Sequence, residues 1–253
     1  MLYITKAFTI LLFLITDPNV LAKSTIQIGT TVSMPPYLYE KEFTGIEIEL
    51  IKAAFRNQGY TKFLHVDSSY RRAIKLLVEK RVNAIVTNGE NRYYSSFDDV
   101  YKSQNILNYV DCVITLKSSK EKYLGPKSLV GKRVWAFKSA KKTLGKQYAE
   151  AVKSTIEYNE TIDQLLQPKA LIKKRMEFAV SDRNIFFTQA IKEGLDLKKF
   201  KLHELNSKNP RVLRFHNKKL RDIFNNGLAE IRRNGEYNRV LAEYKDLYKS
   251  NCT

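Results

Sequence analysis

Two cysteines, three histidines, one tryptophan and six prolines are all that the 253 residues contain of those types, and each shortage removes a class of function. Cys112 and Cys252 are too few for a disulfide framework and leave open whether they form a single bridge. Neither cysteine lies near His65, His203 or His216 in sequence, so neither has the neighbours of a nucleophile. Zinc-ligand spacings are absent as well. There is no Gly-x-Ser-x-Gly, no Ser-x-x-Lys with partners at a helix start, and no Gly-x-Gly-x-x-Gly after a strand. These absences speak against an enzyme, a metal site and a bound cofactor. No block of about five or six like charges occurs, which argues against a nucleic-acid arm. No internal repeat or low-complexity tract is present.

What is present begins with an expected export signal over residues 1–22. Lys6 supplies a sparse positive region, Phe8 to Ile15 is apolar, and Val20-Leu21-Ala22 suits a signal-peptidase site. The apolar run is short of the roughly 20 residues that span a bilayer, and no later stretch replaces it. The expectation is a periplasmic protein whose mature chain starts near Lys23. An exported chain permits a Cys112–Cys252 bridge.

Hydrophobic residues at 43% and charged residues at 28% indicate a globular chain with a core, of a length that suits two small domains. Lys plus Arg is 44 against 26 for Asp plus Glu, a formal net charge of +18. The basic residues are spread along predicted helix faces (Arg71, Arg72, Lys75; Lys218, Lys219, Arg221), as on a solvated surface. Attraction to anions or an anionic membrane is the other reading, and nucleic acid is not expected.

From Lys23 onward, short apolar strands alternate with amphipathic helices, the pattern of a mixed or parallel sheet with crossover helices. Ile26, Ile28 and Val32 mark a first strand. A helix opens after Gly45 and stops at Gly59. Strands are expected at 63–66 and 82–87, with a helix from about Ser69 to Lys80 between them. Tyr109 to Leu116 is an apolar strand. A second series follows: strand 133–137, helix 143–153, strand 155–158, a helix over 161–174 kinked or divided at Pro168, strand 178–181 and helix 182–191. Val212 to Phe215 is the last strand, before helices 219–234 and 237–249. The two series suggest two lobes joined by the 109–116 and 211–216 strands. Lobe one is then discontinuous, 23–112 plus 213–253, and lobe two is 113–212, with a ligand cleft between them.

This series resembles the extracellular solute-binding proteins of family 3, the polar amino acid-binding components of bacterial ABC uptake systems. The likeness rests on Ile26-Gln27-Ile28-Gly29-Thr30, Pro35-Pro36-Tyr37, Gly45-Ile46-Glu47-Ile48-Glu49-Leu50, Arg81-Val82-Asn83-Ala84, Leu129-Val130-Gly131-Lys132-Arg133-Val134, Phe178-Ala179-Val180-Ser181-Asp182 and Gly235-Glu236-Tyr237, in that order. The resemblance implies a type II periplasmic-binding-protein fold that closes on a small polar ligand, often an amino acid, and presents it to an inner-membrane ABC permease. An orphan or sensory binder of the same fold is the alternative; a monomer is expected.

The same resemblance implies the site. Tyr37 would wall the ligand. Arg92 would take a carboxylate, since a guanidinium offers paired donors, although Thr87-Asn88-Gly89-Glu90-Asn91-Arg92 departs from the family's Thr-x-x-Arg. Thr87 and Asn88 would bind the same ligand end. Asp182 would receive an ammonium, and its place before a helix equally suits an N-cap. Ser139 and Ala140 would present backbone amides to an anion. Tyr70 is an aromatic candidate for the cleft, and Trp135 one better suited to the core.

Overall fold

The computed structural model describes residues 25–89, 99–161, 163–248 and 252. The export signal and Arg92 lie outside the described residues. The first strand, β1 (Ile26–Thr30), buries Ile26 and Ile28 and pairs in parallel with β2 (Phe63–Asp67) and β3 (Ala84–Asn88). Helices α1 (Ile46–Asn57) and α2 (Tyr70–Val78) are the crossovers between these strands. Gly45, at φ 113°, starts α1 where the Pro36 and Tyr37 carbonyls accept from the Ile46 and Glu47 amides. The turn after β1 therefore caps the helix in place of a side chain. A Cβ on Gly45 would stand 2.5 Å from the Tyr37 oxygen, so the tight approach requires glycine.

Two strands join the halves of the molecule. β5 (Leu107–Leu116) runs antiparallel to residues 200–211 of β9 (Phe200–Phe215). β9 also pairs with β3 through residues 211–215 and with the short β4 (Tyr101–Lys102), and β5 pairs with β8 (Phe178–Asp182). β8 and β7 (Glu157–Thr161) flank β6 (Arg133–Phe137) in parallel. The sheet order is β2-β1-β3-β9-β5-β8-β6-β7. The result is two lobes, each a mixed sheet with helices on its faces, sharing the two long strands.

The cores follow this division. Around β1 and β3 the first lobe packs α1, α7 (Lys218–Arg233) and α8 (Glu236–Glu243), while α2 covers the opposite face. In the second lobe the alternation of β5 and β8 divides the apolar residues between two faces. Cys112, Ile114 and Ala179 meet α5 (Gln167–Ile172) and α6 (Arg183–Lys192), whereas Val113, Phe178 and Val180 meet Tyr148 of α4 (Gly145–Ala151). α1 and α7 pack so closely that a Cβ on Gly227 would sit 2.0 Å from the Ala54 oxygen. No helix among the described residues is long and apolar enough to cross a membrane.

Several elements differ from the sequence reading: the 143–153 helix divides into a turn of helix over Ala140–Thr143 and α4, and the 155–158 strand is β7, shifted to Glu157–Thr161. The last strand begins at Phe200, twelve residues before the apolar run that marks it. The 161–174 helix is shorter: Thr161 still belongs to β7, and Pro168 lies in the first turn of α5, where a missing amide hydrogen costs nothing. The closing helix ends at Glu243. Cys112 and Cys252 form a disulfide.

Candidate functional site

At its C-terminal end β8 delivers Asp182 to the junction of the lobes, and the turn after β1 delivers Tyr37 to the same place. Both are buried. Asp182 caps α6, its Oδ1 accepting from the Asn184 and Ile185 amides at 2.9 Å each. Its Oδ2 accepts from the Val110 amide at 2.7 Å and from the Tyr37 hydroxyl at 3.1 Å. A carboxylate has about four lone-pair positions, and all of them are taken. Tyr37 in turn accepts from Asn184 Nδ2 at 2.9 Å, and Ile185 enters the first lobe's core. Tyr37 and Asp182 thus form a latch across the lobes, and a ligand ammonium reaches this carboxylate only by displacing the tyrosine.

Behind the latch lies a second polar group. Tyr37 stacks on Tyr109 with ring centroids 3.9 Å apart. The Tyr109 hydroxyl donates to Glu47 Oε2 at 3.1 Å, and Arg211 donates to Glu47 Oε1 at 3.0 Å while its guanidinium covers the Tyr109 ring at 4.6 Å. Burial alone would pull the Arg211 pKa down. Glu47 more than offsets this and holds it above the usual value. Beside this group, among Thr30, Val86, Tyr109 and Arg211, the open space is about 10 Å³, roughly room for one water. Among the described residues, the Tyr37–Asp182 bond joins the two lobes across this space.

The register skips at the hinge, where Asp111 opposes Ser207 and Cys112 opposes Glu204. Asp111 is also the direct partner of Asp182 across β5 and β8. Burial raises Asp111 to about 7, with the Asp182 charge adding to it, and burial raises Asp182 to about 6 against its amide partners. Both acids bind protons more tightly when folded, so this contribution to stability is greatest below the ordinary aspartate pKa, near pH 4. It declines as the pH rises toward 7. Asp111→Asn is therefore expected to gain stability relative to wild type as pH rises from 5 to 8, measured by urea unfolding at each pH; a difference that stays flat with pH would contradict the buried-acid assignment. Asp182→Asn sets an amide NH₂ against the Val110 N–H and is expected to cost about 2 kcal/mol in the same assay.

The other sequence candidates are dispersed. Thr87 is buried at the end of β3 and donates to the Asn88 carbonyl at 3.2 Å. Asn88 donates to the Asn209 side chain of β9, and the Gly89 amide bonds to Pro210 O at 2.7 Å. Tyr70, at the start of α2, is 40% exposed. Ser139, at φ 70°, precedes the short α3 (Ala140–Thr143), and Ala140 is fully buried. Of the two amides expected to receive an anion, that of Ser139 already meets a carboxylate: Glu160 accepts from Ser139 N at 2.9 Å and from the neighbouring Lys141 N at 2.8 Å. Trp135 is half-buried against the second lobe's core, its indole N–H donating to Glu157 at 2.9 Å.

Sequence reasoning passed over Glu47 as a site residue, and also Tyr109, Asp111, Glu160, Asn184 and Arg211. Asp111 carried a signal, as a lone acid inside the apolar run Tyr109 to Leu116. Glu160 carried none, because its role depends on how the turn after β6 folds back.

Among the described residues no group of acids, histidines or cysteines could hold a metal ion. A model of the bacterial extracellular solute-binding proteins, family 3, matches residues 26–246. No curated protein matches the sequence. Among solved structures, the substrate-binding protein of an amino acid ABC transporter is similar at 18% identity and a TM-score of 0.67, covering 90% of this chain and 100% of its own. A histidine kinase sensor domain with similarity to periplasmic binding proteins is 15% identical, with a TM-score of 0.67 and coverage of 89% and 98%. The GluR0 ligand-binding core from Nostoc punctiforme, in complex with L-glutamate, is 18% identical, with a TM-score of 0.65 and coverage of 89% and 100%.

Proposed function

Because the chain belongs to the bacterial extracellular solute-binding proteins of family 3, we propose that it is a periplasmic binding protein. It captures a small polar solute, an amino acid or a molecule like one, between its lobes and hands it unchanged to an ABC permease. The lobes of this reading are 23–112 plus 213–253 and 113–212, bending at β5 and β9. The observation that carries it is the Tyr37–Asp182 contact, a donor from one lobe on an acceptor from the other. A solute ammonium would take over that acceptor, and Tyr37 would swing aside to wall the solute. Arg92, with Thr87 and Asn88 beside it, would receive a carboxylate. Because only the shut form pairs the solute's charges on both sides, binding shifts the population toward closure.

A second reading is favoured by the histidine kinase sensor domain among the structural neighbours. The same closure would then report the solute to a signalling partner with no transport. A permease and ATPase encoded beside the gene, and uptake of radiolabelled solute lost on deletion, would separate the two.

The test is a thermal-shift screen of the protein lacking residues 1–22 against amino acids, oligopeptides and small organic anions. An amino acid should raise Tm, and Arg92→Ala and Asp182→Asn should each abolish the shift. A shift that survives both substitutions removes these residues from the site.

A further inference from the structure

A second space, far larger than the one at the latch, opens in lobe two. It measures about 610 Å³, inside the range of small-molecule sites at about 300–1,000 Å³. Its walls are the segment after β5 with Tyr123, the end of α3 and the start of α4 with Thr143, Gln147 and Tyr148, and the β9 stretch from Glu204 to Ser207 at the skipped register. Neither Tyr37 nor Asp182 lines it, nor does any residue of the first lobe's sheet.

The lining is unusual for this chain in its charge. Lys and Arg make up 44 of the 253 residues, yet none of the eleven lining residues is a cation. Glu204 is the one carboxylate in the lining, and among the described residues no ion pair or hydrogen bond engages it. Glu204 is exposed at the opening of the cavity, so an external cation can reach its carboxylate without displacing a partner. The surrounding groups fit the same partner. Burial pushes Tyr123 up to about 12, so it stays a neutral phenol whose ring face attracts cations. Thr143 and Gln147 supply a hydroxyl and an amide oxygen as further acceptors.

We propose that this cavity is a second solute site, separate from the space between the lobes, and that it takes a small organic ammonium with Glu204 as its counter-charge. The site also touches the hinge: Ser207, on its wall, donates to Asp111 Oδ2 at 3.2 Å, and Asp111 faces Asp182 of the latch. An amine bound here therefore sits one hydrogen bond from the acids that hold the lobes together.

Putrescine at low ionic strength is the probe, followed by calorimetric titration and by amide shifts in two-dimensional NMR. Putrescine should bind the wild-type protein and shift the amides of residues 143–148 and 204–207. Glu204→Gln should weaken binding about tenfold or more, the loss of one charge-assisted contact, and Gln147→Trp should fill the space and abolish binding, with circular dichroism confirming that each variant is folded. L-Glutamate should produce no shift at residues 204–207. Absence of putrescine binding to the wild type, or binding unchanged in Glu204→Gln, overturns the proposal. Shifts confined to Asn184 and Ile185 would place the amine between the lobes, ending the second site and leaving the interlobe reading intact.

Discussion

Replacing Cys112 and Cys252 together by alanine is expected to lower the free energy of unfolding by about 4–5 kcal/mol. The bridge joins residues 140 apart, so in the unfolded chain it closes a loop covering more than half of the protein. The chain-entropy account makes the constraint on the unfolded state grow with the logarithm of that loop. On the folded side, both cysteines are buried in the α5–α6 core of the second lobe, whereas α8, a few residues before Cys252, packs on the first lobe. The bridge thus pins the C-terminal end across the hinge, and its loss should also free the last turns after Glu243. Urea titration of the double alanine variant measures the effect. A loss below about 1 kcal/mol would mean that packing alone holds the C-terminal end in place.

Glu47→Ala is expected to cost about 3–5 kcal/mol, because it leaves the Arg211 guanidinium charged and buried without its partner. Glu47 is 1% exposed, and it also accepts a hydrogen bond from the Tyr109 hydroxyl, so the substitution strands a second donor. The pair itself need not stabilise the fold against an apolar replacement, since desolvation of two charges consumes most of their attraction. Glu47→Met combined with Arg211→Leu should therefore recover most of the loss. A double variant as unstable as the single one would show that the contacts of Arg211 with the Tyr109 ring, and not the ion pair, carry the energy.

Much of this architecture is legible from residue patterns, and the exceptions have physical causes. α1 reads directly, because Ile46, Ile48, Leu50, Ile51, Ala54 and Phe55 are all buried and Gly45 must adopt positive φ at its start. The two joining strands read as a pair. The length of β9 did not, because residues 200–211 hold only Phe200, Leu202 and Leu205 as scattered apolar residues, followed by the polar run 206–209 and Pro210, and so lack both a strand's alternation and the apolar run of 212–215. Asp182 was legible both as a strand-end acid and as an N-cap. The structure shows the cap directly, and the same oxygens also hold β5 and Tyr37.

Harder still were residues whose partners lie far away in sequence. Arg211 meets Glu47 across 164 positions, and Asp111 meets Asp182 through strand register alone. No local pattern encodes such pairings. Glu160 shows the reverse case, in which a motif is legible but its occupant is not: the turn at Ser139–Ala140 was expected to offer free amides, and a side chain of the same lobe binds there to the Ser139 and Lys141 amides. A ligand carboxylate that sought these amides would have to displace it.

The central claim is that the two lobes swing apart and shut on a solute. Small-angle X-ray scattering of the protein alone and with a solute that raises its Tm tests it most directly. The account predicts a radius of gyration that shrinks on solute addition, and an unliganded Tyr37→Phe variant, which lacks the latch donor, that is more expanded than unliganded wild type. Scattering curves that superimpose for wild type, variant and solute-bound protein would contradict it.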